Sequence, residues 1–378
     1  MIYLDNAATT LQKPAQVKEA MVEAFENCAN SGRGGYGSSL KAAEYVYRAR
    51  ERIATLFGVE DCQQIIFTYN ATYALNMAIK GVATRGSCII SGYEHNSVVR
   101  PLTQLRKNGI SCYIARGRLF DREDMIKKFT SQIKRNTKLA VMTHVSNVFG
   151  YILPIREIDE ICYKKGIKLI VDASQSAGSV PLKMSELRAC VCICAPGHKG
   201  LYGPQGTGIL VCKNGEELKT IIEGGTGSMS SEMSQPDFMP DRLESGTQNI
   251  PGIAGLSEGV NYVNNVGVEK IGKHEKKLIS YLAKELCKCK SVKVYAATDE
   301  NLQGGVLSFG SDMLSADEIA NKLSEFDIAV RSGLHCSPVA HETVGTQGGT
   351  VRVSVSNFTT ENDILFFLEK IKKILSEK

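Results

Sequence analysis

"CICAPGHKGLYGPQGTGIL" (192–210) joins an apolar strand to a tight Pro-Gly turn, a His-Lys pair, a glycine-rich turn and a second strand. Lys199 follows the first strand directly and is crowded by backbone, which a solvated surface lysine does not explain. Two kinds of chemistry fit such a lysine: it binds a phosphate group, or its amine forms a Schiff base. This stretch alone leaves both interpretations open.

A second stretch, "KLIVDASQSAG" (168–178), ends a buried strand with Asp172. Parallel sheets place their sites at the carboxyl ends of strands. A carboxylate there needs a partner, and a protonated pyridine nitrogen is one, because the pairing keeps the ring an electron sink. An isolated aspartate could equally be a helix N-cap. Asp172 and Lys199 at successive strand ends together favour the Schiff-base interpretation.

Seven short β-branched runs around these residues predict one sheet. Their apolar character is continuous, which is typical of strands buried on both faces, and helical patterns lie between several of them. The alternation predicts an α/β fold with a seven-stranded, mainly parallel sheet. The runs are "QIIFT" (64–68), "SCIIS" (87–91), "SCYIA" (111–115), "KLAVMT" (138–143), "KLIVD" (168–172), "CVCICA" (190–195) and "TGILVC" (207–212).

The amino-acid composition changes after the last of these runs. Residues 223–251 are rich in Gly, Ser, Met and Pro, as a long functional loop would be, and one long helical pattern covers about 254–290. We predict a large domain over 15–253 and a smaller α+β domain built from 1–14 and 254–378. Strands of the smaller domain are expected near 292–296, 305–309, 327–331 and 350–355.

Helices are predicted at both ends of the chain. Two precede the sheet, at 15–29 and about 39–57, and Ser315 with Glu318 forms a capping-box pattern that starts another. The last helix carries an apolar stripe. In the first helix the residues that line one face are Val17, Met21, Phe25 and Cys28.

The composition is that of an ordinary soluble globular protein, with 43% hydrophobic and 22% charged residues among 378. A net charge of +5 with interleaved signs disfavours binding to nucleic acid or membranes by bulk charge. No apolar run approaches the ~18 residues of a membrane span. The start lacks the pattern of a signal peptide, so a cytoplasmic location is expected.

The twelve cysteines favour packing over metal binding. Most lie in apolar runs, as reduced cysteines do, and no CxxC pair exists. Alternation along a strand would point Cys190, Cys192 and Cys194 to one face. We therefore predict no metal site, and the length argues against a disulfide framework.

"GRGGYG" (32–37) matches the letters of a dinucleotide-binding loop. Such a loop follows a strand, whereas a helix precedes this one, so we reject that interpretation. No GxxxxGK[ST] phosphate loop exists.

Several motifs in combination extend across nearly the whole chain from "YLDNAATT" (3–10). By them the chain resembles the class V aminotransferase family, and within it the cysteine desulfurases and selenocysteine lyases. The resemblance implies a pyridoxal-phosphate (PLP) enzyme of fold type I. The other motifs are "EHNS" (94–97), "HVSNVFG" (144–150), "DASQ" (172–175), "GHK" (197–199), "ESGTQN" (244–249), "RSGLHC" (331–336) and "VRVSV" (351–355).

The resemblance also implies the roles of individual residues. Lys199 would hold PLP covalently and move protons, and Asp172 would pair with the ring nitrogen. The remaining expected cofactor contacts are His95, which would stack on the ring and also take a catalytic part in proton transfer, Asn147 and Gln175 near the ring oxygen, and Ala71, Thr72, His198 and a partner subunit's Thr247 at the phosphate. That last contact implies a homodimer with shared sites.

For the substrate, Arg352 would hold the carboxylate, with Asn147 and Arg331 nearby. Cys336 would receive the sulfur of L-cysteine as a persulfide and pass it to an acceptor protein, leaving L-alanine. Positive neighbours, Arg331 and His335, would favour its thiolate. L-selenocysteine or another small amino acid is the alternative substrate. A non-catalytic sulfur carrier and a metal-binding or redox protein are the alternatives outside this class.

The chain departs from the family's usual pattern at three of these places. Pro196 stands where many relatives have Ser or Thr, which removes a phosphate hydroxyl. Ala71 can offer only backbone to the phosphate, and Leu334 replaces a histidine of the cysteine loop.

Overall fold

The computed structural model describes residues 1–32 and 34–376; Arg33 of the "GRGGYG" stretch lies outside them. The helices are α1 Ala15–Asn27, α2 Gly37–Phe57, α3 Ala71–Val82, α4 Asn96–Leu105, α5 Arg122–Gln132, α6 Ile155–Lys165, α7 Ile250–Val266, α8 Val268–Leu286, α9 Ala316–Ser324, α10 Pro338–Val344 and α11 Glu361–Ser376. The strands are β1 Ile2–Tyr3, β2 Ile65–Thr68, β3 Ser87–Ser91, β4 Ser111–Ala115, β5 Thr137–Thr143, β6 Lys168–Asp172, β7 Cys190–Pro196, β8 Gly208–Cys212, β9 Val292–Tyr295, β10 Val306–Ser311, β11 Ile328–Ala329, β12 Arg331–Gly333 and β13 Thr350–Ser354.

The seven predicted runs form one sheet in the order β2-β8-β7-β6-β5-β3-β4. β8 is antiparallel to both of its neighbours, and the pairs from β7 to β4 are all parallel. The prediction of a seven-stranded, mainly parallel sheet is confirmed. Because parallel strands end at the same edge, the residues that follow β5, β6 and β7 are brought together there.

Helices cover both faces of this sheet, which explains the continuous apolar runs. In β6, Val171 packs into the core on one face and Ile170 into the core on the other, and both are fully buried. Each such side chain contributes about 1.5–3 kcal/mol relative to leaving it exposed. The strands that carry the site are therefore held on both sides.

The prediction that three alternating cysteines share one face is wrong. The register between β6 and β7 shifts, because Cys190 pairs with Leu169 whereas Cys192 pairs with Ile170. The extra residue is a bulge, which turns Cys190 to the opposite face from Cys192 and Cys194. All three thiols are buried in apolar surroundings.

A second, smaller unit has a four-stranded antiparallel sheet in the order β12-β13-β10-β9. The strand expected at 327–331 is divided: β11 pairs in parallel with β1 at the start of the chain, and β12 pairs with β13. α8, α9 and α11 cover this unit with a separate apolar core. The chain start is thus built into the small unit.

One long helix over 254–290 is a wrong prediction. Gly267, with φ 93°, separates α7 from α8, and this left-handed backbone interrupts the helix. α7 adds Ile253, Leu256, Val260 and Val263 to the core of the large sheet. The packing of the large unit therefore continues past residue 253, and the predicted domain bounds of 15–253 and 1–14 plus 254–378 stay a prediction.

One of two local predictions about the helices agrees with the structure and the other does not. The Ser315–Glu318 capping box is confirmed, with both reciprocal hydrogen bonds present. In α1 the buried residues are Val17, Ala20 and Ala24, whereas Phe25 is 79% exposed, so the larger apolar side chains do not mark its core face. No helix within the described ranges is long and apolar enough to cross a membrane.

Candidate active site

A cavity of about 780 Å³, open to solvent, lies at the carboxyl edge of the large sheet and is closed on one side by the small unit. It brings together most of the predicted site residues. From the large unit these are Ala71, Thr72, His95, Asn147, Asp172, Gln175, His198 and Lys199, and from the small unit Arg331, Cys336 and Arg352.

Lys199 lies just beyond the end of β7, after Gly197 and His198. Burial lowers the pKa of its amine to about 8, and the positive charge of Arg352 adds to this effect, whereas Asp172 opposes it. A substantial fraction of this amine is therefore neutral at slightly alkaline pH. Only the neutral amine is a nucleophile or a base.

Asp172 is the last residue of β6 and is buried. One of its oxygens accepts hydrogen bonds from the backbone N–H of Ser174, at 2.9 Å, and from the Ser174 hydroxyl. Because Asp172 lies beside Cys194 of β7, it is next to the strand that leads to Lys199. Neighbouring strands thus present an amine and a carboxylate to the same cavity.

His95 is the N-cap of α4, and its Nδ1 accepts from the backbone N–H of Ser97 at 3.0 Å. Burial lowers the pKa of this imidazole to about 4, so the ring is neutral at pH 7. A neutral ring that accepts at Nδ1 carries its proton on Nε2. The ring is fixed in one orientation at the cavity wall.

The N-terminus of α3 opens on the cavity. Asn70 caps it by accepting from the backbone N–H of Tyr73, so the free N–H groups ahead of that residue are those of Ala71 and Thr72. The Thr72 hydroxyl is 2.8 Å from the Ser97 hydroxyl. Helix N-termini attract anions, which suits this corner to a phosphate.

His198 also lines the cavity, and its Nδ1 lies 3.0 Å from the Thr9 hydroxyl. Burial lowers the pKa of His198 to about 4. Gln175 donates to the backbone oxygen of Ala7 at 2.9 Å, so the chain start forms part of the wall. Ala7 and Ala8 of the "YLDNAATT" motif line the cavity, although the motif alone assigns neither of them to the site.

Arg352, on β13, is almost completely buried although it was expected to meet a substrate. Its Nη2 pairs with Asp5 at 2.6 Å, and its Nη1 donates to the backbone oxygen of Asn147 at 3.0 Å. Asp5 is a further residue that the sequence interpretation missed. Arg331, which lies opposite Arg352 in the sheet register, is exposed at the cavity.

Cys336 is exposed, in the loop between β12 and α10. His335 is buried beside it, and burial drives the pKa of its imidazole far below the usual range. The expectation that His335 supplies positive charge to the thiol is therefore wrong, because the ring is neutral. Of the two positive neighbours expected to favour the Cys336 thiolate, Arg331 is the one that carries a charge.

Thr247 lies outside this cavity. It is exposed in the long segment between β8 and α7 and lines a different groove, with Tyr69 and Gly206. Glu244 holds this segment through a buried ion pair with Arg50 and accepts from the backbone N–H of Phe67. A role for Thr247 in the site of a partner subunit stays a prediction.

Within residues 1–32 and 34–376, no group of three or more His, Cys, Asp or Glu side chains could hold a metal ion. The architecture is that of fold type I: a large mainly parallel sheet, a smaller domain, and a lysine and a carboxylate at the edge between them.

Comparison with known proteins places the chain more narrowly. The model of the family "Aminotransferase class-V" matches residues 2–367, so the chain belongs to this family. A probable cysteine desulfurase of Methanothermobacter thermautotrophicus is 33% identical over 99% of this chain and 94% of its own length. A probable cysteine desulfurase of Pyrococcus abyssi is 30% identical over 99% and 94%.

Solved structures agree with this placement. The apo cysteine desulfurase of Thermococcus onnurineus NA1 matches with a TM-score of 0.91 at 29% identity, over 100% of this chain and 95% of that one. The cysteine desulfurase CsdA of Escherichia coli matches with a TM-score of 0.88 at 24% identity, over 99% and 94%, a likeness that supports the fold alone.

Proposed function

We propose that the protein is a PLP-dependent cysteine desulfurase, which converts L-cysteine to L-alanine and keeps the sulfur as a persulfide on Cys336. The observation that carries this proposal is the exposed thiol of Cys336 in the same cavity as Lys199 and Asp172. Amino transfer alone has no need of a thiol there. Relatives described as cysteine desulfurases support the same activity.

The residues present fit PLP. Lys199 has an amine with a lowered pKa that can hold the aldehyde carbon, and Asp172 can pair with the ring nitrogen. His95, Gln175 and Asn147 all line the cavity; His95 would stack on the ring, and Gln175 and Asn147 would meet its ring oxygen. The phosphate would lie at the N-terminus of α3, against Ala71, Thr72 and His198. When bound, PLP supplies an electron sink for the negative charge that develops on the substrate's α-carbon.

The Lys199 amine would take the α-proton of the substrate, hold it inside the cavity and return it in a later proton transfer. Arg331 is exposed in the cavity and can receive the substrate carboxylate. Arg352 can share that carboxylate only alongside Asp5, with which it is already paired. The two arginines together would orient the substrate so that its thiol faces Cys336.

The sulfur step balances without an oxidant. The Cys336 thiolate attacks the substrate sulfur, an S–S bond forms, and the substrate Cβ–S bond breaks. The electron pair stays with the substrate carbon, which takes a proton and leaves as L-alanine. The persulfide is then free to pass to an acceptor protein.

A homodimer with shared sites is part of this proposal. Thr247 is exposed and borders a groove with residues 30–32, next to the start of α2. Large apolar side chains are exposed at the N-cap of this helix, Tyr36, and along it, at Leu40 and Tyr47. Apolar exposure of this kind is typical of a contact surface. A cytoplasmic location is part of the same proposal.

The test is L-alanine formation from L-cysteine and, in a parallel assay, from L-selenocysteine. The purified protein should release alanine and, under reducing conditions, sulfide. Cys336→Ala should lose most sulfur transfer, whereas Cys287→Ala, which removes another exposed thiol, should not. Full activity in Cys336→Ala would contradict the desulfurase mechanism, and alanine from selenocysteine alone would favour a selenocysteine lyase.

A further inference from the structure

The loop that carries Cys336 has an unusual backbone. His335 and Cys336 are consecutive non-glycine residues with positive φ, at 50° and 59°. Such residues are strained and persist only where the surroundings hold them in place. The contacts that hold these two residues therefore decide where the thiol lies.

His335 Nε2 contacts Thr350 of the small unit, and three further hydrogen bonds come from the large unit. Asn147 Nδ2 donates to the backbone oxygen of His335 at 2.8 Å, and Asn147 Oδ1 accepts from the Ser337 hydroxyl at 2.7 Å. The backbone N–H of Asn96 donates to the backbone oxygen of Cys336 at 2.9 Å. Three successive loop residues are thus tied to two asparagines of the large unit.

Ser337 departs from what its position predicts. It is the N-cap of α10, where a serine hydroxyl ordinarily accepts from the first turn of the helix. Here it makes no capping bond and donates to Asn147 instead. Ser337 is fully buried and Asn147 nearly so. Breaking this hydrogen bond would therefore leave a buried polar group without a partner, which is costly.

Asn147 also lines the cavity. An amide nitrogen has two hydrogens, and only one of them is used by the loop, so the second is available to a group bound in the cavity. The same side chain therefore touches the thiol loop and the place proposed for the cofactor.

We propose that Ser337 is a positioning residue for the sulfur step: through Asn147 it fixes the strained backbone at His335 and Cys336 and so holds the thiol at the cavity. This inference rests on the proposed function for the role of Cys336. It deepens that function by assigning a residue that does not line the cavity.

The experiment compares Ser337→Ala with Ser257→Ala in the PLP-loaded protein. Ser257 is also fully buried and makes one side-chain hydrogen bond, to Arg52, away from the cavity. Ser337→Ala should keep its bound cofactor and its exchange of the α-hydrogen of L-alanine with solvent. Its rate of persulfide formation should fall about 10- to 100-fold, because a small misplacement of a reacting atom is that costly.

A second measurement does not depend on activity. Hydrogen exchange of a peptide that covers Asn96 should accelerate about tenfold or more in Ser337→Ala, since this N–H is bonded to Cys336. Ser257→Ala should leave that peptide unchanged.

The proposal would be overturned if Ser337→Ala formed the persulfide at the wild-type rate and its amide hydrogen at Asn96 also exchanged at the wild-type rate. An equal fall in the rate of persulfide formation in Ser337→Ala and Ser257→Ala would also overturn it, because that result would show a general effect on folding. If the wild type forms no persulfide while exchange at Asn96 still accelerates in Ser337→Ala, the proposed function fails and the positioning contact stands.

Discussion

The two sides of the cavity are built in different ways. Lys199 and Asp172 lie at the ends of neighbouring strands that are buried on both faces, so backbone pairing and core packing fix them. Cys336 lies on an exposed loop with strained backbone, fixed by a few side-chain hydrogen bonds. The sheet and its packed core hold the side that would bind the cofactor. A few hydrogen bonds hold the side that would accept sulfur.

This difference implies that the two functions can be separated by mutation. Changes at the strand ends should remove all chemistry, because every step depends on the cofactor. Changes at the thiol loop should remove sulfur transfer and leave the proton steps intact.

The largest effect is expected for Lys199→Ala. Loss of the amine should remove the visible absorption of the bound cofactor and reduce alanine formation by about 10²–10⁴-fold, since a positioned proton-transfer group contributes that much. Lys168→Ala, which changes an exposed lysine at the start of β6, is the control. If Lys199→Ala kept the absorption band, the claim that the strand-end residues hold the cofactor would be contradicted.

An intermediate effect is expected for Asp5→Asn. This change leaves the buried guanidinium of Arg352 without its carboxylate, and breaking a buried pair costs about 3–5 kcal/mol. Urea unfolding should show a loss of free energy of unfolding near the low end of that range, because Asp5 is partly exposed. Asp327→Asn, at the exposed pair with the N-terminal amine, should change stability by under about 1 kcal/mol. Equal effects of the two variants would contradict a special role for the buried pair.

A third effect, on the pH dependence of stability, concerns Glu94, which is fully buried and accepts from the backbone N–H of Thr143 at 2.8 Å. Burial raises the pKa of its carboxyl to about 8. The native state therefore keeps a proton that the unfolded state loses above about pH 4.5, and this group's contribution to stability falls as pH rises from there to 8.

Glu94→Gln mimics the protonated acid, so the change in its melting temperature from pH 5 to pH 8 should be more positive than that of the wild type. One pKa unit corresponds to about 1.4 kcal/mol, which makes the difference measurable. Glu275, whose pKa burial raises to about 8, and the buried histidines His95 and His198, whose pKa burial lowers to about 4, titrate in both proteins and so cancel in this comparison. Parallel profiles for variant and wild type would show that Glu94 is ionised in the native state.

The side that would bind the cofactor was predictable from the sequence because its signals are local. Continuous apolar runs predict buried strands; Asp172 is the last residue of one of them, and Lys199 follows the end of another within a few residues. The bounds of the seven strands agree with those of the runs to within a residue or two. Failures in the same region came from single-residue irregularities, the bulge at Cys190 and the break at Gly267, which leave no periodic signal.

The thiol side was only partly predictable. Cys336 stands out as a cysteine outside an apolar run, but its supports come from distant parts of the chain. The contacts of Asp5 with Arg352 and of Ser337 with Asn147 span 347 and 190 residues, respectively. Pattern reasoning sees neighbours along the chain, and these pairs become neighbours only in the folded protein.

The most direct test of the account is to locate the sulfur. The PLP-loaded protein is mixed with one equivalent of L-cysteine without reductant, the thiols are trapped, and the peptides are mapped by mass spectrometry. The account predicts one additional sulfur atom on the peptide that contains Cys336, and none on the peptide that contains Cys287. Sulfur on another cysteine, or alanine released with no sulfur on Cys336, would contradict it.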